Sequence, residues 1–351
     1  MKFSVDPWDV EYGASLGIDQ PDTVTAQLVV ELEMPGEEWH PIDAAVDVET
    51  PQRILFIDGV RRIDARVWIE DAEGDIYPGL CASYAAGAVC CAERAEVIAA
   101  EVGRGVFSTA PTAADIVAAK ATYPARMAAS SDADGLMLAV HERMAMTEVC
   151  IAEKAVADES IDLTVIDGPL RGRQHLEGAI GFIKSHSVAY LPPELHRMVG
   201  KLGSGQRTPV FTIGTTWSRH AWYLRLPGPE GSPWAGIVRC ECSSDLSPEA
   251  AIALANQASA ALPRFASEAH KDTRAPQNLY PIAGLERELR RRLGQTYTLA
   301  SLVALYDDAA RWARDSAQRV APGVGWAQDA SFADAACARA ARNARDWKPS
   351  T

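Results

Sequence analysis

Two short segments of this chain share one pattern, a run of apolar residues that ends in aspartate and glycine. They are Ile54–Gly59, with the sequence ILFIDG, and Leu163–Gly168, with the sequence LTVIDG. A short apolar run closed by an Asp-Gly turn signal predicts a buried strand followed by a turn. If the two strands are neighbours, Asp58 and Asp167 converge, and close carboxylates repel each other unless a cation lies between them. The pattern therefore predicts a divalent-metal site.

The bulk composition is that of a globular protein. The 351 residues are 48% hydrophobic and 23% charged, which is enough for one large or two modest cores and does not predict disorder. No apolar stretch approaches the length of a membrane span, and the first residues, MKFSVD, lack the apolar core of a signal peptide. We therefore expect a cytoplasmic protein that does not enter a membrane.

Charge and cysteine content exclude several classes of protein. The formal net charge of −13 argues against a protein that coats nucleic acid through bulk electrostatics, although it is compatible with a local basic groove. The seven cysteines include no CxxC pair and are odd in number. We expect buried thiols rather than a zinc site or a disulfide framework.

The order of strand and helix patterns predicts an α/β fold. Strands are predicted in the apolar or alternating segments near 25–33, 54–57, 63–70, 76–84, 87–91, 163–166, 209–213, 220–226 and 235–240. Helices are predicted across the alanine-rich segment 113–157 and over 248–262, 281–293 and 299–314. We divide the chain into an N-terminal extension at 1–50, a main domain at 51–295, and a C-terminal helix with a tail at 296–351.

Helical geometry points to a third carboxylate, Glu148. At about 100° per residue, the segment 136–157 places its apolar residues on one stripe, and Glu148 falls inside that stripe. A carboxylate that faces the core is costly unless a charge or a metal receives it. We therefore expect Glu148 to join Asp58 and Asp167. The alternatives are a less buried stripe, or pairing with an arginine such as Arg62 or Arg66.

Three motifs give the chain a likeness to a known family. They are FIDGV at 56–60, VIDGPL at 165–170 and GFIKSH at 181–186. From Asp6 to Gly294 the chain resembles the NurA nucleases, which have an RNase H-like core and work with the hexameric HerA translocase at DNA ends. The resemblance implies an RNase H-like mixed sheet flanked by helices, with an N-terminal extension and a C-terminal helical segment.

The resemblance also implies which residues carry the chemistry. The family's first-strand aspartate corresponds to Asp58, its helix glutamate to Glu148 and its fourth-strand aspartate to Asp167. The implied reaction is hydrolysis of phosphodiester bonds at DNA ends with two Mn²⁺ or Mg²⁺ ions, which activate water and stabilise the attacking and leaving oxygens. Carboxylates suit these ions because the ions prefer hard oxygen ligands.

Basic residues near the second Asp-Gly pair are candidates for contacts with DNA. Lys184 is predicted to be catalytic and to face the scissile or an adjacent phosphate. Arg171 and Arg173 are placed to meet a DNA backbone. A solvated loop explains these two arginines equally well.

Near its C-terminal end the chain departs from the family pattern. The family often closes its site with a histidine a few residues after a Tyr-Pro pair, but here Tyr280-Pro281 is followed by IAGLERE. Family spacing points to Glu288 as the replacement. The apolar stripe of the predicted helix instead brings Glu286 to the inner face and turns Glu288 outward. We favour Glu286 as the additional metal ligand.

The resemblance further implies partners and a biological role. They are DNA, a HerA-type hexameric ATPase and a second copy of the chain, with the helix at 299–314 as a candidate dimer interface. The role would be end resection and repair, or defence against foreign DNA. Because the chain has no Walker A motif, translocation is expected from the ATPase.

The sequence lacks the motifs of several other classes of hydrolase. The chain has no G-x-S-x-G elbow and no HExxH motif, which argues against a serine hydrolase and a zinc protease. The main alternative is a catalytically silent RNase H-like scaffold or DNA-end-binding subunit of a translocase complex. The presence of all three carboxylates argues against that alternative.

Overall fold

The chain is an α/β protein with a large mixed sheet flanked by helices, as the sequence predicts at that level. The computed structural model describes residues 26–44, 48–118, 121–156, 160–176, 178–186, 188–228 and 234–294. The described residues divide into two compact units. The first draws on the described residues within 26–58, 87–99 and 152–288, and the second on those within 59–86, 100–151 and 289–294.

The strands and helices follow in this order along the chain. The strands are β1 Gln27–Val29, β2 Ile54–Glu70, β3 Ile76–Cys91, β4 Ala95–Ser108, β5 Ile116–Ala118, β6 Ala121–Tyr123, β7 Ala125–Met127, β8 Leu163–Asp167, β9 Ala179–Ile183, β10 Phe211–Gly214, β11 Ser218–Arg225 and β12 Ile237–Ser243. The α-helices are α1 Ala133–Val156, α2 Pro193–Val199, α3 Pro248–Ala261 and α4 Tyr280–Arg292, and short 3₁₀ helices lie at Gly36–Glu38 and Leu262–Phe265.

In the first unit the strands follow the order β1-β10-β11-β12-β9-β8-β2. β8 pairs in parallel with β2 on one side and with β9 on the other, whereas the successive pairs from β9 through β12, β11 and β10 to β1 are antiparallel. Ile54–Ile57 of β2 are fully buried. Parallel strands are covered on both faces, which explains why the segments before Asp58 and Asp167 read as continuous apolar runs.

In the second unit the order is β2-β3-β4-β7. Short turns at 71–75 and 92–94 join β2, β3 and β4, and strands joined by such short turns must run antiparallel. β7 lies parallel to β4, and β5 pairs with β6 in a separate small sheet. One core cluster of this unit is formed by Ala65, Cys81, Val106 and Tyr123.

The first Asp-Gly pair does not end its strand, so that prediction is wrong. β2 runs without interruption from Ile54 to Glu70, and Gly59 lies inside it. A Cβ at Gly59 would collide with the carboxylate of Glu148. This glycine therefore allows close packing of Glu148 against β2 and does not form a turn. The second pair does behave as predicted, because β8 ends at Asp167 and Gly168 has φ 111°.

Two other predictions of elements are wrong. β3 is one strand from Ile76 to Cys91, where two strands were predicted. Only Ala133–Val156 of the predicted helix at 113–157 is helical, and β5, β6 and β7 precede it. Ile116, Val117 and Thr122 are β-branched and favour strands, and Pro124 cannot donate to a helix.

The remaining predicted elements of the described residues are confirmed to within a few residues. They are β10, β11, β12, α3 and α4, with Gly294 in the left-handed region at φ 77° just beyond α4. The predicted strand near 25–33 is reduced to β1. The predicted helix at 299–314 and the tail lie outside the described residues.

The cysteines of the described chain are buried, as expected. They are Cys81, Cys90, Cys91, Cys150, Cys240 and Cys242. Burial raises the pKa of Cys81 and of Cys242 to about 12, which keeps both thiols protonated and unreactive at neutral pH. Within the described residues no helix is both long and apolar enough to cross a bilayer.

Candidate metal centre

Three carboxylates come together in the first unit. Asp58 follows the fully buried stretch of β2, Asp167 is the last residue of β8, and Glu286 lies in α4. Because β2 and β8 are parallel neighbours with Ile57 opposite Ile166, Asp58 within β2 lies beside Asp167 at the end of β8. One ligand oxygen from each of the three residues lies within 4.8 Å of the others.

Helix α4 brings Glu286, and not Glu288, into this group. Leu285 and Leu289 are 1% and 0% exposed, so this side of α4 packs into the core. Glu286 lies on the same side and is 9% exposed. Glu288 is partly exposed, and the acidic group does not include it.

Lys184 lies at the edge of the group and contacts Asp167. Its Nζ donates to Asp167 Oδ2 at 2.6 Å and to Asn278 Oδ1 at 2.9 Å. The lysine is 6% exposed and Asn278 is fully buried. The ammonium therefore balances a carboxylate charge of the site, and its catalytic role facing a phosphate stays a prediction.

Arg274 balances the charge of Glu286, as Lys184 balances that of Asp167. Its Nη1 and Nη2 donate to the two carboxylate oxygens of Glu286 at 3.0 and 2.7 Å, the bidentate geometry of strong arginine–carboxylate pairs. The backbone N–H of Arg274 donates to Asp272 Oδ1 at 2.8 Å, and Asn278 Nδ2 donates to Asp272 Oδ2 at 2.7 Å.

Sequence reasoning missed Asp272, Arg274 and Asn278. They lie in the irregular segment between the 3₁₀ helix Leu262–Phe265 and α4, where no periodicity marks an inward-facing side chain. The only signal in the sequence is that five residues with hydrogen-bonding side chains occur within the eight positions before Tyr280. That density is common in surface loops, so it could not have singled them out.

The donor set fits a divalent cation. Mg²⁺ and Mn²⁺ prefer carboxylate oxygens, and opposite ligands of an octahedral Mg²⁺ lie about 4.2 Å apart. Adjacent ligands of such an ion lie only about 3.0 Å apart, so three oxygens within 4.8 Å of one another have to draw closer by side-chain rotation to share one ion. Each carboxylate oxygen has two lone pairs, so pairing with Lys184 or Arg274 still leaves acceptor capacity.

Glu148 belongs to the second unit. It lies on α1, is 4% exposed, and its carboxylate packs against Gly59, the residue that follows Asp58 in the chain. Of the two arginines considered as its partners, Arg62 donates to Asp64 Oδ1 at 2.6 Å and Arg66 is exposed. The role of Glu148 as a metal ligand stays a prediction.

The two arginines expected to contact DNA differ in exposure. Arg171 is exposed. Arg173 is 7% exposed, and its Nη1 donates to the carbonyl oxygen of Pro169 at 3.3 Å. This contact lies within its own loop, and the role of both arginines at a DNA backbone stays a prediction.

His141, which shares a helix with Glu148, is neutral at physiological pH. Burial, with a smaller contribution from Arg61, lowers the pKa of His141 to about 4. Its Nδ1 lies 3.4 Å from Nη1 of Arg61, a donor-only group, so this nitrogen is the acceptor. His141 is thus not a proton carrier near pH 7.

No protein-family model matches this chain, and no curated protein matches it. The resemblance to the NurA nucleases therefore rests on the sequence motifs alone. The structure contributes the geometry of the acidic group, and a function has to be argued from that geometry.

Proposed function

We propose that this chain is a metal-dependent DNA nuclease that hydrolyses phosphodiester bonds at DNA ends. The observation that carries the proposal is the group formed by Asp58, Asp167 and Glu286, with ligand oxygens within 4.8 Å of one another. Bound Mn²⁺ or Mg²⁺ supplies a Lewis acid that lowers the pKa of water and stabilises the oxygens of an in-line displacement. In the proposed route two such ions take part.

The order of elements supports an RNase H-like core. The three long strands β2, β3 and β4 come first, the three-residue strands β5, β6 and β7 follow them, and helix α1 then leads to β8, which pairs in parallel with β2. This succession agrees with the first-strand aspartate, helix glutamate and fourth-strand aspartate that the NurA resemblance implies. Under the proposal, Glu148 is the helix glutamate.

The chain's own cations have defined parts in the proposal. Lys184 holds Asp167, and Arg274 holds both oxygens of Glu286. These contacts fix the carboxylate orientations before an ion binds, which reduces the reorganisation that binding requires.

Local basic residues support DNA as the substrate despite the acidic total. Arg171 follows β8 and is exposed. Helix α4, which carries Glu286, also carries the exposed arginines Arg287, Arg290, Arg291 and Arg292. Arginine side chains are common partners of DNA phosphates. Under this proposal a HerA-type hexameric ATPase delivers the DNA, and the nuclease works as a homodimer.

A second candidate function is a catalytically silent scaffold or DNA-end-binding subunit. The ion pairs of Asp167 with Lys184 and of Glu286 with Arg274 favour it, because they balance two carboxylates without any metal. A buried ionic network of this kind can be purely structural. The two candidates differ in whether Mn²⁺ permits cleavage.

The test is degradation of an end-labelled linear duplex by the purified protein with Mn²⁺, with Mg²⁺ and with EDTA. We expect cleavage only with a divalent ion. Asp58→Asn and Asp167→Asn should each reduce the cleavage rate by at least about 100-fold, because each replaces a negatively charged ligand of the ions by a neutral amide. Glu288→Gln is the matched control, because Glu288 lies on the same helix as Glu286 and outside the acidic group.

The control variant should cleave at the wild-type rate, and circular dichroism should show that all variants are folded. DNA binding without cleavage under every metal condition would favour the silent subunit. Cleavage that persists in folded Asp58→Asn and Asp167→Asn proteins would reject the assignment of these residues.

A further inference from the structure

A continuous chain of hydrogen bonds links two of the three carboxylates. It runs from Asp167 through Lys184, Asn278, Asp272 and Arg274 to Glu286. The successive donor–acceptor distances are 2.6, 2.9, 2.7, 2.8 and 2.7 Å. We call these six residues the carboxylate relay.

Asn278 is the neutral centre of the relay and uses both ends of its amide. Oδ1 accepts from the Lys184 ammonium, which has no acceptor, and Nδ2 donates to the Asp272 carboxylate, which has no donor when ionised. These partners fix the orientation of the amide. Asn278 is 0% exposed, so no bulk water competes for either end.

Arg274 anchors the other half of the relay. Its guanidinium holds both oxygens of Glu286, and its backbone N–H and its Nε lie 2.8 and 3.6 Å from Asp272 Oδ1. Asn278 N–H donates to the Arg274 carbonyl at 3.0 Å and closes the segment into a turn. The segment 272–278 is thereby tied to both Asp167 and Glu286.

We infer that Asn278 and Arg274 are positioning residues that hold Asp167 and Glu286 in the orientation that binds a divalent cation. The inference deepens the proposed function and rests on its metal site. Partners that orient metal ligands without touching the ion commonly change metal affinity by about 10–100-fold when they are removed. A purely structural relay would instead change stability and leave affinity unaltered.

The experiment measures Mn²⁺ binding by the loss of the free-ion EPR signal, without DNA. Asn278→Ala removes both amide contacts, and Arg274→Lys keeps the positive charge but cannot hold both oxygens of Glu286. Arg264→Lys is the matched control. It alters an exposed arginine of the same region that donates to the Pro51 carbonyl at 2.5 Å, outside the relay. Circular dichroism and thermal melting report folding separately.

We expect the Kd for Mn²⁺ to rise by about 10–100-fold in the folded Asn278→Ala and Arg274→Lys proteins and to stay within about twofold of wild type in Arg264→Lys. An unchanged Kd in either folded relay variant overturns the inference. If neither variant folds, even with Mn²⁺ present, the relay is structural and the inference is also overturned.

The outcomes separate this inference from the proposed function. If wild-type protein binds Mn²⁺ and the relay variants bind it more weakly, the inference holds even when no DNA is cleaved, and only the nuclease proposal fails. If wild-type protein binds Mn²⁺ and cleaves DNA while the variants bind normally, only the inference fails. Absence of Mn²⁺ binding by the wild type rejects both.

Discussion

Lys184 and Arg274 determine how the buried carboxylates are stabilised before any ion binds. The side chains of Lys184 and Asp167 are 4% and 13% exposed and lie 2.6 Å apart. In such surroundings an ion pair gives little net stability over an apolar pair, but removal of one partner leaves a buried charge without compensation. The Lys184 ammonium therefore occupies a place in the charge balance that a divalent cation can also fill.

This charge balance predicts that metal and lysine compensate for one another. Lys184→Met should lower the free energy of unfolding by about 3 kcal/mol, the cost of breaking a mostly buried ion pair. Saturating Mn²⁺ should recover part of that loss and stabilise the variant more than the wild type, because the ion meets an uncompensated Asp167. Urea unfolding with and without Mn²⁺ measures both quantities.

Lys201→Met is the control, because Lys201 is exposed and far along the chain from the acidic group. It should alter stability by less than about 0.5 kcal/mol. Equal stabilisation of the Lys184→Met and wild-type proteins by Mn²⁺ would contradict the account.

Because His186 is buried and neutral, we expect the free energy of unfolding to depend on pH. Its ring packs against Tyr223 and Trp234, and its Nε2 donates to the Ile237 carbonyl at 3.0 Å. Burial, helped by repulsion from Arg239 and His196, lowers the pKa of His186 to about 4. Between its ordinary pKa of about 6.5 and this value, the unfolded chain binds a proton that the folded chain does not.

The contribution of neutral His186 to the free energy of unfolding is therefore complete above about pH 6.5. As the pH falls toward about 4, this contribution decreases by about 1 kcal/mol per pH unit. His186→Gln keeps a donor for Ile237 and cannot titrate, so its free energy of unfolding should fall less steeply between pH 7 and pH 5. Urea unfolding at several pH values compares the two slopes, and identical slopes would refute the prediction.

At the scale of elements, the close approach of β9 to the loop after β8 shapes the site. A Cβ at Gly181 would lie 2.8 Å from the Gly168 carbonyl oxygen and 2.9 Å from Leu170 N. Leu170 N–H donates to Glu241 Oε1 at 2.7 Å, which draws the loop over the strand. The end of β8, with Asp167, is held in place because Gly181 has no side chain.

Gly181→Ala should therefore lower the free energy of unfolding by about 1–3 kcal/mol, since backbone atoms would have to move. Gly284→Ala is the matched control. A Cβ there meets no atom within 4 Å, and Gly284 lies inside α4, where alanine is favoured by about 1 kcal/mol. Thermal and urea unfolding test both variants, and equal effects of the two substitutions would contradict this explanation.

Elements with strong local patterns were predictable from the sequence. The apolar runs before Asp58 and Asp167 and the stripe of α4 specify buried strands and a helix with Glu286 inward. The continuation of β2 through Gly59 was not predictable, because an Asp-Gly pair favours a turn locally. Only the packing of Glu148 against Gly59 reveals why glycine is needed there.

The carboxylate relay as a whole could not be predicted from the sequence either. Asn278 and Asp272 are polar residues in an irregular segment. Asn278 contacts Lys184, 94 positions away in the chain, and Asp272 joins the network through Asn278. Long-range contacts of this kind leave no periodicity. The sequence therefore indicated the carboxylates and Lys184, but not Asp272, Arg274 and Asn278.

The whole molecule is acidic but carries local groups of exposed arginines. The formal net charge of −13 does not favour contact with DNA in general. Exposed arginines on α4 and after β8 provide the proposed contacts, and a partner ATPase would provide the work of bringing DNA to the site. Each of these proposals depends on the acidic group being a metal site.

The most direct measurement of that dependence is an anomalous difference map from crystals soaked in MnCl₂. The account predicts a peak about 2.2 Å from oxygens of Asp58, Asp167 and Glu286, with Lys184 and Arg274 still contacting their carboxylates. A well-ordered map that has no peak at this group, with the three carboxylates bound only to side-chain cations, would contradict it.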